Sequence, residues 1–251
     1  MKDPTERFSN RVENYVKYRP AYPKEILNVF RDEMGMTESA MIADIGSGTG
    51  ISAKLFLENG NSVFGVEPNE AMRRAAEEFL KDFPKFTSVD GMAANTTLPD
   101  NSVNFVIAAQ AFHWFEGEDT RNEFERILKK DGYVALIWNE RQTDSTPFLR
   151  EYEKFLLNYA SDYQEVRHEN TGVEELKKFF HKDFSRVTFQ NSQIFDFDGL
   201  KGRVTSSSYM PAEDSPDHPR MVEELKALFT KYEEQGRITI LYDTAVNYGH
   251  L

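Results

Sequence analysis

The sequence predicts an α/β fold, a doubly wound, seven-stranded, mostly parallel sheet with N-terminal helices and a helical cap, and three observations carry that reading. From Ala40 onward, short apolar runs alternate with amphipathic helical stretches, the pattern of β-α-β units. The first of these runs passes into Gly46, Gly48 and Gly50 and then into a helix, as a ligand-binding strand-turn-helix does. The 251 residues can bury one sizeable core, but two independent domains would be cramped.

Residues 5–34 read as two helical stretches interrupted at Arg19-Pro20-Ala21-Tyr22-Pro23, because two prolines so close together break a helix. Strands are expected at 41–45, 62–67, 85–89, 103–109 and 133–139, with helices at 50–59, 69–82 and 120–129 between them. Beyond Asn139 the alternation loosens. Residues 147–163 and 173–181 read as helices that together can cap the strand ends. Residues 186–197 and 237–248 read as long strands around a helix at 219–235, which gives seven strands with the last pair antiparallel at one edge. The expected division is an N-terminal lid (1–35), a cofactor-binding core (36–140), a cap (141–185) and a segment completing the sheet (186–251). The nearest thing to a linker is 206–219, with its three prolines.

Composition narrows the chemistry. A formal charge of -12, from 42 acidic and 30 basic residues, opposes the phosphate backbone that a nucleic-acid binder must neutralise, so a small molecule is the expected partner. No cysteine is present, which rules out thiolate metal sites and thiol redox chemistry. No run approaches the ~18 apolar residues of a membrane span, and Met1-Lys2-Asp3-Pro4 lacks the apolar stretch of a secretory signal, so no membrane partner and a cytoplasmic location are expected. Asp196 and Asp198, read as sharing one face of a strand, make a poor metal site without a neighbouring histidine, and no metal is expected. Nothing in the sequence speaks to the oligomeric state.

The most informative segment runs from Ile42 through Asp44, Gly46, Ser47, Gly48 and Gly50 to Ile51. Glycine permits a sharp turn and a close backbone approach to a ligand, and the helix that follows offers free N–H groups at its positive end. A nicotinamide site would carry G-x-G-x-x-G, but Ile51 stands where its last glycine falls. Taken alone, the glycines suit a plain tight turn equally well. Asp44, at the strand end, can receive a cationic amine through water or a backbone contact. Glu67, 23 positions later and beside Pro68, closes the second strand, where a carboxylate can accept from both hydroxyls of a ribose. Asp90-Gly91-Met92 follows the third strand.

With these residues in place the chain resembles the class I S-adenosylmethionine-dependent methyltransferases, and among them the broad group that includes the trans-aconitate and ubiquinone-biosynthesis enzymes. Residues 40–139 carry most of the likeness. The resemblance implies a Rossmann-like sheet with S-adenosyl-L-methionine as cofactor. Its amino acid end would lie on Gly46, Ser47, Gly48 and Gly50, its ribose on Glu67 and Pro68, and its adenine amino group on Asp90 with Gly91. Met92 would lie against the adenine, or else fill core. The pieces 15–23, 110–115 and 206–209 further resemble the trans-aconitate-methyltransferase-like (methyltransferase type 11) subgroup, whose substrates are too varied to fix the acceptor.

The acceptor is expected beyond the carboxyl ends of the strands, near Gln110 to Trp114. His113 is the candidate catalytic residue, as general base or orienting donor, with simple packing under a loop as the alternative. Trp114, with Phe112 and Phe115, can shield a sulfonium from water or pin the next helix to the sheet. Tyr15, Tyr18 and Arg19 can close as a lid or pack as a helix face. Arg19 and Arg141 can grip an anionic acceptor, against a contact to the cofactor carboxylate and a surface ion pair respectively. Trp138 and Tyr209 complete the expected substrate-binding set. The function expected is methyl transfer to an oxygen, carboxylate or hydroxyl, of a small molecule. A non-catalytic cofactor-binding regulator and a nicotinamide-dependent dehydrogenase are the alternatives.

Overall fold

The computed structural model describes residues 17–115, 117–160, 172–207 and 209–251. Its strands are β1 (Met41–Ile45), β2 (Ser62–Val66), β3 (Phe86–Val89), β4 (Val103–Ala109), β5 (Leu128–Arg141), β6 (Ser185–Phe195) and β7 (Ile238–Gly249). They form one seven-stranded sheet in the order β3-β2-β1-β4-β5-β7-β6. β1 to β5 run parallel, and β7 inserts between β5 and β6, antiparallel to both. Strand order reverses between β1 and β4, so the connections after these strands diverge and leave a crevice at their carboxyl ends.

The helices are α1 (Ile26–Asp32), α2 (Ile51–Glu58), α3 (Glu70–Phe79), α4 (Glu118–Ile127), α5 (Pro147–Tyr159), α6 (Val173–Phe180), α7 (Phe197–Thr205) and α8 (His218–Tyr232). Because successive side chains on a strand face opposite ways, the apolar runs of the central strands divide between two layers. Ile42, Phe105, Ile107 and Ile137 pack with Ile26 and Phe30 of α1 and Leu55 and Phe56 of α2. Ala43, Val106, Leu136 and Trp138 pack on the other face with Phe124 of α4 and Phe179 and Phe180 of α6. A third cluster joins α5, α7 and α8 to the amino-terminal half of β7 through Leu149, Tyr152, Leu200, Leu225 and Ile240. Among the described residues no helix is long and apolar enough to cross a membrane.

Local chemistry fixes the element ends. Asn69 caps α3 by accepting from the Met72 N–H at 3.0 Å. Thr146 does the same for α5 through Leu149, with Pro147 opening the helix. Glu123 of α4 accepts from Thr96 N and Thr96 Oγ1, and Arg126 grips the same carboxylate and donates to Leu98 O, which fastens the loop after β3 to the helix.

Three expectations are corrected. The sixth strand stops at Phe195, and residues 197–205 form a helix. Asp196 is that helix's N-cap, accepting from Gly199 N at 2.8 Å, and Asp198 lies in its first turn, so the two do not share a strand face. Gly199, Gly202, Val204 and Thr205 are poor helix formers, and tertiary packing overrides them. The helix expected at 120–129 ends at Ile127, and the next strand begins at Leu128, with a bulge that shifts register between Val103 and Phe105. The two helices expected to cap the strand ends together lie in different apolar clusters: α5 joins the third cluster, whereas α6 covers the sheet beside α4.

Candidate functional site

The turn after β1 forms the floor of the crevice. Gly46, Gly48 and Gly50 have φ of +66°, +55° and +82°, values that side-chain-bearing residues rarely adopt. A Cβ on Gly50 would lie 2.6 Å from Leu80 Cδ1, and one on Gly46 would lie 2.8 Å from Ala111 Cβ. A Cβ on Gly48 would meet nothing within 4 Å among the described residues, so this side of the turn is open.

Asp44 lies completely buried beneath the turn and accepts from Ser52 Oγ at 2.6 Å, tying the strand end to the start of α2. Burial pushes its carboxyl up to about 7, with the Ser52 and Ala53 hydrogen bonds acting against that shift. Its Oδ1 is buried without a hydrogen-bond partner.

Glu67 faces the same turn. Gly48 N donates to its Oε2 at 3.0 Å and Asn69 N to its Oε1 at 2.9 Å. Burial raises its pKa, offset by these two N–H donors and by Arg73. A carboxylate has about four acceptor positions, so each oxygen keeps capacity for one more donor. Arg73 of α3 donates to the carbonyls of Glu67 and Pro68, both at 2.8 Å, and to Asp90 Oδ2 at 2.9 Å. Asp90 stays largely exposed, and Met92 is 57% exposed rather than core filling. Gly91 is required where it stands, since a Cβ there would lie 2.7 Å from Thr96 O.

Across the switch point, Gln110 ends β4 at φ +57°, donating from its backbone N–H to Ile137 O and from Nε2 to Asn139 O. The 3-10 turn Phe112–Trp114 follows. Ala111 and Phe115 flank this turn and contact Gly46, which sets His113 and Trp114 beside the glycine turn. The His113 and Trp114 rings lie 4.9 Å apart.

The segment 17–23 crosses the strand ends as a strap. Asn191 Nδ2 donates to Ala21 O at 2.8 Å, Gln193 Nε2 to Tyr18 O at 3.1 Å, and Arg19 Nη2 to Ser206 O at 3.3 Å. Asn139 Nδ2 lies 3.4 Å from Ala21 O, and its Oδ1 accepts from Thr244 and Asn191.

The expected cofactor residues Asp44, Gly46, Ser47, Gly48, Gly50, Glu67, Pro68, Asp90, Gly91, Met92 and Gln110 thus gather around one crevice. The expected acceptor residues divide. His113 and Trp114 lie beside the glycine turn, whereas Tyr18 packs against Gly202 of α7 and Arg19 donates to Ser206 O. Tyr15 lies outside the described residues. Trp138 is core, 3% exposed and edge-on to Phe112, and offers no face to a ligand. Arg141 pairs with Glu153 in a nearly buried ion pair over the Tyr152 ring, which is neither surface pairing nor a free anion grip. Tyr209 packs at the edge of the third cluster. Sequence reasoning missed Arg73 and Arg203. Arg73 looks like an ordinary helix-surface cation and Arg203 lies in a stretch with no expected element, and only the folded arrangement shows what each one meets.

Residues 43–136 match the family model of a methyltransferase domain. An uncharacterised methyltransferase-like protein of Schizosaccharomyces pombe is 32% identical over 62% of this chain, and the match spans 59% of that relative's length. An uncharacterised methyltransferase of the same yeast is 26% identical over 88% of each chain. The solved structure of a candidate type II methyltransferase from Anaeromyxobacter dehalogenans superposes with a TM-score of 0.71 at 22% identity, covering 93% of this chain and 98% of that one, a likeness of fold.

Proposed function

We propose that the chain is a class I S-adenosylmethionine-dependent methyltransferase that transfers a methyl group to an oxygen of a small-molecule acceptor, a reading supported by the methyltransferase-domain match over residues 43–136. The observation that supports cofactor use most directly is the Gly48–Glu67 clamp. It sets a backbone N–H and a carboxylate with spare acceptor positions beside open space at Gly48. The residues present fit the cofactor. Glu67 holds ribose hydroxyls, Met92 offers its exposed thioether to the adenine face, Asp90 accepts from the adenine amine, and Asp44 acts through the turn it anchors.

When bound, S-adenosylmethionine supplies a methyl group on an already activated sulfur, so the chain chiefly aligns the acceptor and excludes water. Trp114, beside the glycine turn, and the strap are the groups that would exclude water from the crevice. His113 accepts the proton of a hydroxyl acceptor, whereas a carboxylate acceptor attacks without it. A screen of hydroxy and carboxylic acids with cofactor carrying a labelled methyl group tests this reading. Label is expected in an oxygen-linked product, and label found only on nitrogen or sulfur acceptors would contradict it.

A further inference from the structure

Arg73, Arg121, Arg126 and Arg141 each pair with a carboxylate. Arg203 of α7 does not. It is 8% exposed, its Nε donates to Tyr242 Oη at 3.4 Å and its Nη1 to Ser207 Oγ at 3.1 Å, and it forms no ion pair among the described residues. Tyr152 and Tyr242 belong to the cluster in which α7 packs, and Tyr209 lies against it. An uncompensated buried charge costs several kcal/mol, and tyrosine and serine hydroxyls do not cancel it. Nearby, Arg141 is already neutralised by Glu153.

The position of this charge links it to the crevice. Tyr242 sits opposite Arg141 at the carboxyl end of β5. Ser206 and Ser207, which follow α7, accept from Arg19 of the strap and from Arg203 respectively. Asn139, three residues before Gln142 on the same strand end, binds both the strap and the Gln110 side chain. Arg203 therefore stands at the same end of the sheet as Gln110 and His113, toward the β7 side.

We infer that Arg203 anchors a carboxylate of the methyl acceptor, through the guanidinium edge that Tyr242 and Ser207 leave uncommitted. A single uncancelled positive charge with a planar donor edge matches one carboxylate better than a phosphate dianion. The anchored carboxylate is the handle, and the attacking oxygen lies elsewhere on the acceptor, nearer Gln110. That the ligand is the acceptor rests on the methyl-transfer reading above; the anion site itself does not.

The test is calorimetric titration of protein saturated with S-adenosylhomocysteine, at constant ionic strength, with succinate, its uncharged analogue succinamide, and inorganic phosphate. Wild type, Arg203→Gln and Arg203→Lys are compared, with S-adenosylhomocysteine affinity measured separately. Succinate is expected to bind wild type more tightly than either other probe, and to weaken by about tenfold or more in Arg203→Gln. Arg203→Lys should recover part of the loss, and S-adenosylhomocysteine affinity should be unchanged throughout. Absence of succinate binding to wild type, equal binding of succinamide, tighter binding of phosphate, or full retention in Arg203→Gln would overturn the assignment. Should Arg203→Gln not fold, Arg203→Lys decides: weaker succinate binding supports the carboxylate grip, and unchanged binding refutes it. Succinate binding without S-adenosylhomocysteine binding would remove the methyl-transfer reading and leave the anion site standing.

Discussion

Asp44 combines complete burial with one donated hydroxyl and an unpartnered oxygen, and this has a consequence for stability. Its folded pKa, about 7, lies above the ordinary aspartate value of 3.8, so its contribution is fully present below the lower value and is lost as pH rises through the higher one. Denaturant titrations of the ligand-free protein should show stability falling between about pH 4 and pH 7, by at most on the order of 4 kcal/mol from this group. Asp44→Asn keeps an acceptor for Ser52 and should flatten most of the slope, leaving the share of Glu67, whose pKa is raised in the same direction. Parallel slopes in both proteins would contradict this. At His113, substitution by Gln should lower kcat on a hydroxyl acceptor by roughly 10²–10⁴-fold, with cofactor affinity unchanged. Binding that weakens in step with kcat would instead make His113 a packing residue. The placement of Asp44, Glu67 and the three glycines at one turn was legible because it follows from backbone geometry at strand ends, which spacing records. Arg73 and Arg203 were not, because their partners come from segments remote in sequence or from backbone carbonyls.

The elements read most clearly were those whose apolar pattern matches their own period, which is why β1 to β4 and α2 and α3 came out within a few residues of expectation. The element that was missed, α7, is held by packing against Phe229 and Tyr18 rather than by helix propensity. Its Gly202 is the point of contact: a Cβ there would lie 2.1 Å from Tyr18 Cε2. Gly202→Ala should therefore displace the strap while leaving α7 intact, since alanine is the better helix former by about 1 kcal/mol. Hydrogen exchange read by mass spectrometry should rise over residues 18–22 and stay unchanged over 197–205. Faster exchange in both, or in neither, would show that the strap does not depend on this contact. The helices at 147–159 and 173–180 were legible as helices but not as members of separate layers, because amphipathicity shows that a face is buried and not what buries it.

At the scale of the whole molecule, the strand order and the switch point between β1 and β4 gather residues from 44 to 139 at one end of the sheet, and Arg203 stands at that end with hydroxyl partners, beside an Arg141 already paired with Glu153. The account depends on that crevice holding S-adenosylmethionine through Glu67. The most direct test is calorimetric titration of S-adenosylhomocysteine into the wild-type protein and into Glu67→Ala, with folding checked by near-ultraviolet circular dichroism. Wild type should bind, and the folded variant should lose roughly 1.5–3 kcal/mol, about ten- to a hundredfold in affinity, because a charge-assisted contact to the ribose hydroxyls is gone. No binding to wild type, or equal affinity in the two proteins, would contradict it.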